Sequence, residues 1–234
     1  MSVLALEAVS KRQRSGRREQ NVLENVTLQI EAGELVVVYG ARRSGRSTLL
    51  RIAAGLERPD SGSVSFQGRD LASQRDRVLG EGIGYVHPAL NPSEEQGVLE
   101  QIAAPLLARG TPIEHAREHA RQALSRAGAE QCAAVLAGEL NAGERAQVTL
   151  ARALVLSPAL VVIDEPVAAV ALAERDPILA RLRTIAGEGT AVLASASEPS
   201  ELAGATRALT LADGQLRGPA EAEPAKVIAL RRSI

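Results

Sequence analysis

The 234-residue chain is 45% hydrophobic and 24% charged, which is typical of a globular protein and leaves room for one large domain with a full core. Its formal net charge of −1 excludes an overall field that would draw it to nucleic acid or to a lipid surface. A single cysteine, Cys132, excludes a framework of internal disulfides, and no apolar run reaches the roughly 20 residues of a membrane-spanning helix, so any membrane role must come through another subunit.

The N-terminal part predicts strands that lead into a glycine-rich turn. Two strands with alternating hydrophobicity are predicted over residues 3–9 and 25–30, and an apolar strand over residues 35–39. The turn Gly40-Ala41-Arg42-Arg43-Ser44-Gly45-Arg46-Ser47-Thr48 follows, and then a helix. This order is typical of a P-loop, in which backbone N–H groups surround phosphates, a lysine reaches them and a serine or threonine holds Mg²⁺. The pattern G-x-x-x-x-G-K-[ST] fits except at the lysine, where Arg46 stands.

Two explanations of Arg46 are open. Arginine replaces lysine almost throughout the chain, since Lys11 and Lys226 are the only lysines among its 27 basic residues. A general preference for arginine could therefore have reached the turn as well. Alternatively, selection on phosphate chemistry has relaxed. A general preference explains Arg46 poorly, because lysine acts there as a compact point charge and arginine is a larger planar fork. We favour the second explanation.

The middle of the chain changes from short strands to helices. Short strands are predicted over residues 64–66 and 84–86. Residues 94–136 are rich in Ala, Leu, Glu, Arg and Gln, which favours helices. Thr111 and Pro112 are predicted to be the N-cap and the first residue of one of them, because proline at the first helical position gives up no hydrogen bond.

The C-terminal part returns to strands. Residues 160–163 and 190–194 are apolar throughout or nearly so, as in strands buried in a parallel sheet. Residues 208–211 and 215–217 flank an Asp213-Gly214 turn, which predicts a β-hairpin.

Two acids, Asp164 and Glu165, follow directly after the strand predicted at residues 160–163. This is the Walker B arrangement, which places a carboxylate beside Mg²⁺ at the C-terminal edge of the sheet. The following Glu165 could polarise a water for attack on the terminal phosphate. Many apolar strands end in acids, but one that follows a P-loop-like turn earlier in the chain indicates a nucleotide site.

Together these motifs resemble the nucleotide-binding subunit of an ATP-binding-cassette (ABC) transporter, over about residues 1–217. The resemblance is carried by residues 40–62, by the signature-like Leu140–Gln147, by the strand and acids at 160–166, and by the Asp213-Gly214 turn. The spacing is most similar to the small cassettes of lipoprotein-releasing and macrolide-export systems.

The resemblance implies an α/β fold, a P-loop NTPase of the ABC type. Its mixed sheet core is expected to carry an N-terminal antiparallel β portion and a helical insertion. We expect one nucleotide-binding domain over residues 1–217, with a helical subdomain at about 89–155 and a C-terminal tail over 218–234.

ATP and Mg²⁺ are the cofactors that the resemblance implies. Mg²⁺ is assigned to Ser47 and Asp164, and Glu165 is the catalytic residue if the chain is active. Contacts to ATP are assigned to the glycine-rich turn and to the signature-like segment, namely Gly40, Arg43, Ser44, Gly45, Arg46, Ser47, Thr48, Asn141, Ala142 and Gly143.

Six motifs depart from the family pattern while the framework remains whole. Besides Arg46, the substitutions are Pro88 for the Q-loop glutamine, Asn141 and Ala142 for the signature serine and glycine, Ala171 for the D-loop aspartate, Ser197 for the switch histidine, and Arg12 or Gln13 where an aromatic residue would stack on adenine. Losing one transition-state contact typically costs ~3–4 kcal/mol. Several such losses should leave little hydrolysis, although they do not add simply.

The sequence therefore favours a nucleotide-binding subunit that binds ATP weakly, docks on a membrane permease and has impaired or absent hydrolysis. The alternatives are an active ATPase, and a structural or regulatory pseudo-cassette that binds no nucleotide. We expect a second cassette that is a different chain rather than a second copy, because both halves of the shared site are altered. The expected location is cytoplasmic, at the inner face of the cell membrane through the permease, without a nucleic-acid partner.

Overall fold

The computed structural model describes residues 2–15, 18–72, 82–86 and 94–219. Over these ranges, strands form two sheets, one antiparallel with four strands and one mostly parallel with six, and helices pack on them. The predicted α/β class, with a mixed sheet and an N-terminal antiparallel portion, is confirmed.

The antiparallel sheet contains β1 (Ser2–Ser15), β2 (Arg18–Glu31), β4 (Ser61–Phe66) and β5 (Arg69–Asp70), in the order β2-β1-β4-β5. β1 and β2 are longer than predicted, because they remain paired from Lys11 opposite Leu23 to Ser15 opposite Arg18, where the apolar alternation has ended. Backbone pairing needs no apolar side chain, so a hydrophobic pattern does not set this boundary.

The main sheet contains β3 (Leu35–Tyr39), β6 (Ile83–Val86), β7 (Leu160–Ile163), β8 (Ala191–Ala196), β9 (Arg207–Ala212) and β10 (Gln215–Pro219), in the order β10-β9-β3-β8-β7-β6. Neighbouring strands are parallel except β9 and β10, which form the predicted hairpin. Asp213 and Gly214 have φ values of 51° and 74°, the positive values that a type I′ turn requires.

The helices are α1 (Arg46–Ala53), α2 (Val98–Leu107), α3 (Ile113–Ala127), α4 (Ala142–Leu154) and α5 (Leu172–Gly187). α2 to α4 lie between β6 and β7 in the chain, where the helical insertion was expected, and short 3₁₀ turns link α3 to α4. The predicted start of α3 was one residue early: Pro112 is the N-cap, because its ψ of 142° is extended. Among the helices in the described ranges, none is long and apolar enough to cross a bilayer.

Most of the described core lies in two clusters on opposite faces of the main sheet, beside a smaller third cluster around Val167 and Ile178. Val36 and Val38 of β3 belong to a cluster with α1 and the antiparallel sheet, whereas Leu35 and Val37 belong to one with α2 to α5. β7 alternates in the same way, because successive side chains of a strand point to opposite faces. The sheet is therefore covered on both faces, and the carboxyl ends of its parallel strands are left to carry a site.

Candidate nucleotide-binding site

The glycine-rich turn joins β3 to α1 at the C-terminal edge of the main sheet. Gly45 is the N-cap of α1, with φ 102°, and no side chain caps the helix. Arg43 has φ 66°, in the left-handed region that favours glycine, so the turn keeps a glycine-like backbone with arginine in it. The uncapped N–H groups of the first turn of α1 form the kind of helix terminus that attracts anions.

Close packing fixes this turn between the two sheets. A methyl group on Gly45 would lie 2.6 Å from the carbonyl oxygen of Val22 in β2. One on Gly40 would lie 2.6 Å from the carbonyl oxygen of Leu211 in β9. Both glycines are therefore required by close backbone approach, and a strand of each sheet holds the turn.

The three hydroxyl side chains of the turn have different surroundings. Ser44 Oγ is a buried atom without a hydrogen-bond partner among the described residues. Thr48 is also buried, and its Oγ1 accepts a 3.1 Å hydrogen bond from Arg51 Nη2 in α1. Ser47 is half-buried. The unpartnered Ser44 hydroxyl fits a site built for a polar ligand, since buried polar groups normally have partners.

Arg46 turns into the protein. Its side chain is 6% exposed, and its Nη2 lies 2.8 Å from Glu165 Oε1. Its Nη1 donates to the carbonyl oxygen of Ala196, at the end of β8. The cation of the turn and the acid proposed for catalysis are thus brought together in one ion pair.

Asp164 and Glu165 follow β7, as the Walker B pattern predicts. Asp164 is buried, and its Oδ1 accepts a 2.7 Å hydrogen bond from Ser195 Oγ in β8. The same Ser195 oxygen accepts a 2.8 Å hydrogen bond from the backbone N–H of Glu165, which has φ 48°. Ser195 therefore orients the Asp164 carboxylate and holds the backbone of Glu165. Sequence reasoning missed it, although a serine inside an otherwise apolar strand is a signal that could have found it.

The signature-like residues lie at the start of α4. Asn141 is its N-cap and forms a capping box: its Oδ1 accepts from the N–H of Glu144 at 2.9 Å, and Glu144 Oε2 accepts from the N–H of Asn141 at 3.0 Å. Asn141 and Ala142 are exposed and Gly143 is buried. No hydrogen bond found among the described residues joins these three to residues 40–48, so the fold separates the two groups of predicted contacts.

A mostly apolar cavity of about 190 Å³ lies between α4, α5 and the end of β7. Ala142 and Arg145 of α4 line it, together with Asp164 and Glu165. The cavity therefore reaches the acids from the side of the helical segment.

An ion-pair cluster after β8 was also missed by sequence reasoning. Arg175 in α5 contacts Glu198 Oε2 at 3.0 Å and Glu201 Oε1 at 3.5 Å, and its Nε donates to the carbonyl oxygen of Val170. Glu201 Oε2 accepts the backbone N–H of Ser197, at the predicted switch position. Burial raises the pKa of the Glu201 carboxyl, against the lowering effects of the Ser197 hydrogen bond and the Arg175 charge. The cluster ties the segments around Ala171 and Ser197 together.

The remaining residues that depart from the family pattern lie on β1 or outside the described residues. Arg12 and Gln13 are exposed on β1, and the backbone N–H of Arg12 donates to Asp60, which holds the pKa of that carboxyl below its usual value. Pro88, the predicted replacement of the Q-loop glutamine, lies outside the described residues.

Comparison with known proteins identifies the class of this site. A family model described as ABC transporter matches residues 23–168. The lipoprotein-releasing system ATP-binding protein LolD of Chromohalobacter salexigens is 35% identical over 219 residues, which cover 92% of each chain. The macrolide export ATP-binding/permease protein MacB 1/2 of Paracoccus denitrificans is 32% identical over 92% of this chain and 33% of its own length.

Solved structures give the same result. The dimeric structure of a bacterial ABC transporter cassette has a TM-score of 0.83 at 25% identity and covers 94% of this chain and 99% of its own. A dimeric post-hydrolysis state of an ATP-binding cassette, bound to ADP and phosphate, matches with the same values.

The fold and the turn define a P-loop nucleotide-binding protein, and the chain belongs to the ABC transporter family. Within that family it is a nucleotide-binding subunit, similar to the lipoprotein-release and macrolide-export types.

Proposed function

We propose that this subunit binds ATP weakly and hydrolyses it slowly or not at all. The observation that carries the proposal is the ion pair between Arg46 and Glu165. A general base must reach the water that attacks the terminal phosphate. In this chain the carboxylate of Glu165 is held 2.8 Å from the guanidinium of Arg46, so it can act as that base only when the ion pair is broken.

The replaced switch residue acts in the same direction. The backbone N–H of Ser197 is bound to Glu201, and its side chain carries no imidazole to hold the terminal phosphate. Removing one positioning donor of this kind typically lowers the rate about 10²–10³-fold. The Arg46–Glu165 pair and Ser197 together therefore support a turnover near the background rate.

Phosphate binding is proposed to survive, because it rests on the backbone of the turn and the uncapped terminus of α1. The unpartnered Ser44 hydroxyl supplies a further donor. The residues proposed to contact ATP from this side are Gly40, Arg43, Ser44, Gly45, Arg46, Ser47 and Thr48.

Mg²⁺ is proposed to bind to Ser47 and Asp164. The ion takes oxygen ligands and is usually held by one or two carboxylates together with the phosphates of its nucleotide, which fits a half-buried hydroxyl and one buried carboxylate. When bound, it would neutralise charge on the phosphates. Ser195 fixes the Asp164 carboxylate for this role through its 2.7 Å hydrogen bond.

Phosphate release by the purified chain tests the proposal, with an intact cassette assayed in parallel. We expect release near background, and heat of ATP binding that calorimetry detects only at high ATP concentration. A rate comparable to that of the intact cassette, abolished by Glu165→Gln, would establish an active ATPase instead. That alternative is favoured by one observation, the intact Asp164–Ser195–Glu165 hydrogen bonds. No heat at millimolar ATP would leave a pseudo-cassette that binds no nucleotide.

We further propose that the subunit docks on a membrane permease at the inner face of the membrane and pairs with a second cassette. The relatives named above release lipoproteins or combine an ATP-binding part with a permease, and a solved relative is dimeric. The paired site would take the signature-like Asn141, Ala142 and Gly143 from one chain and the turn from the other.

A different chain is the proposed partner, because two copies of this one would repeat Arg46 and Asn141 at both sites. Native mass spectrometry of the complex purified with its permease tests this. One copy of this chain beside one other cassette is expected, whereas two copies with no other cassette would refute it.

A further inference from the structure

The Arg46–Glu165 pair has a consequence for which nucleotide the site accepts. In a P-loop site the cation of the loop reaches the β- and γ-phosphates, and the base beyond them holds the attacking water. The γ-phosphate and the water therefore lie between these two groups. In this chain the two groups touch, with 2.8 Å between Nη2 and Oε1, so the space for a γ-phosphate is closed.

Opening that space requires more than the rotation of a free side chain. Arg46 is 6% exposed and is bound from two directions, by the Glu165 carboxylate and by the carbonyl oxygen of Ala196. A γ-phosphate that separated Arg46 from Glu165 would break this ion pair and leave the carboxylate without its cation. Breaking a largely buried pair is costly, because the charge that remains is no longer compensated.

A nucleoside diphosphate avoids both costs. Its β-phosphate can be held by the N–H groups of the turn and by the first turn of α1, which carry no side-chain cap. Neither source of binding needs the Arg46 guanidinium to leave Glu165.

We propose that the site prefers nucleoside diphosphates to triphosphates, and that Arg46 and Glu165 are the pair that determines this specificity. This rests on the proposed function, since it requires a nucleotide to bind at the turn. The subunit would then hold ADP as its resting ligand, and a triphosphate would enter only by breaking the pair.

Calorimetric titration of the full chain with Mg-ADP and with Mg-ATP tests the proposal. We expect ADP to bind about tenfold more tightly than ATP, as the closed γ-phosphate space predicts. Glu165→Gln should bring the ratio of the two affinities close to one by raising the ATP affinity. Glu188→Gln removes an equally short surface ion pair, with Arg126, and should leave the ratio unchanged.

A double-mutant cycle distinguishes two explanations of a preference for ADP: closure of the site by the Arg46–Glu165 pair, and simple repulsion of ATP by the carboxylate. If the pair closes the site, Glu165→Gln has no further effect on the ratio in an Arg46→Met background, where no pair exists. If the carboxylate only repels the more highly charged nucleotide, its removal shifts the ratio equally in both backgrounds, and the proposal is wrong. Arg46→Met keeps much of the side-chain length, and thermal unfolding of each variant checks that it is folded.

The remaining outcomes are also decisive. ATP binding that equals or exceeds ADP binding in the wild-type chain overturns this inference and leaves the proposed nucleotide binding intact. No heat with either nucleotide overturns both.

Discussion

The hydroxyl of Ser195 donates to the carboxylate of Asp164 across 2.7 Å, from the strand next to the one that Asp164 follows. Because the same oxygen accepts the N–H of Glu165, one small side chain holds both the Asp164 carboxylate and the backbone of the next residue.

Replacing Ser195 by alanine should destabilise the chain by about 1–3 kcal/mol, because a buried carboxylate and a part-buried N–H both lose this hydrogen bond. Urea unfolding measures this, and Ser200→Ala, at an exposed serine after β8, is the matched control. If the two variants unfold at the same urea concentration, Ser195 does not support the acids.

Arg46→Lys should raise nucleotide affinity several-fold while phosphate release stays near background. A lysine presents one compact charge and does not reproduce the planar contacts to both Glu165 and Ala196. Calorimetry and a turnover assay on the same preparation check the two effects, with Arg42→Lys, at an exposed arginine of the same turn, as control. A turnover that rises to that of an intact cassette would contradict the role given to Ser197.

Gly45→Ala should destabilise the chain by about 1–3 kcal/mol from backbone strain alone, since φ is 102° there. The added methyl group would also meet the Val22 carbonyl oxygen at 2.6 Å. Gly187→Ala is the control: nothing lies within 4 Å of its added Cβ, and it ends α5, so stability should stay unchanged or rise by about 0.5–1 kcal/mol. Equal unfolding midpoints for both variants would show that the turn is not held as described.

Glu201 makes stability depend on pH. Burial raises the pKa of its carboxyl, so the folded chain holds a proton at pH values where the unfolded chain has released it. Its contribution is fully present below the ordinary glutamate pKa and is lost as pH rises through the raised one. Glu201→Gln stays neutral, so its stability relative to wild type should improve from about pH 4 to about pH 7.

Denaturation at both pH values measures this difference, and Glu198→Gln, at the exposed partner of Arg175, controls for the lost ion pair. A relative stability of Glu201→Gln that falls with rising pH would mean that Arg175 outweighs burial.

Sequence patterns predicted the strands of the main sheet and the hairpin closely. Apolar runs such as Leu160–Ile163 and glycine turns such as Asp213-Gly214 determine the structure of their own short segments, so the local sequence is enough to predict them. The extension of β1 and β2 could not be predicted, because polar residues there pair through the backbone. Pro112 was placed one residue too far into α3, since its fixed φ suits both an N-cap and a first helical residue.

The site was predicted as residues rather than as contacts. The spacing of the turn and of Asp164 identified which side chains share the sheet edge. It could not reveal that Arg46 pairs with Glu165, because that contact joins residues 119 positions apart and depends on side-chain direction. Ser195, Arg175 and Glu201 lie in no motif, so only their buried polar contacts identified them.

The turn proposed to bind phosphate lies between the two sheets and contacts a strand of each. The carbonyl oxygens of Val22 and Leu211 lie close to its two glycines, and the N–H of Glu24 in β2 donates to the carbonyl oxygen of Gly214 in the hairpin of the other sheet, 2.8 Å away. We therefore expect an anion that binds the turn to stiffen the joint between the sheets, so that the amide hydrogens of β2 beside it exchange more slowly when the ligand is present. A ligand at the turn would thus change the rigidity of the contact between the two sheets, which lies beyond the site itself.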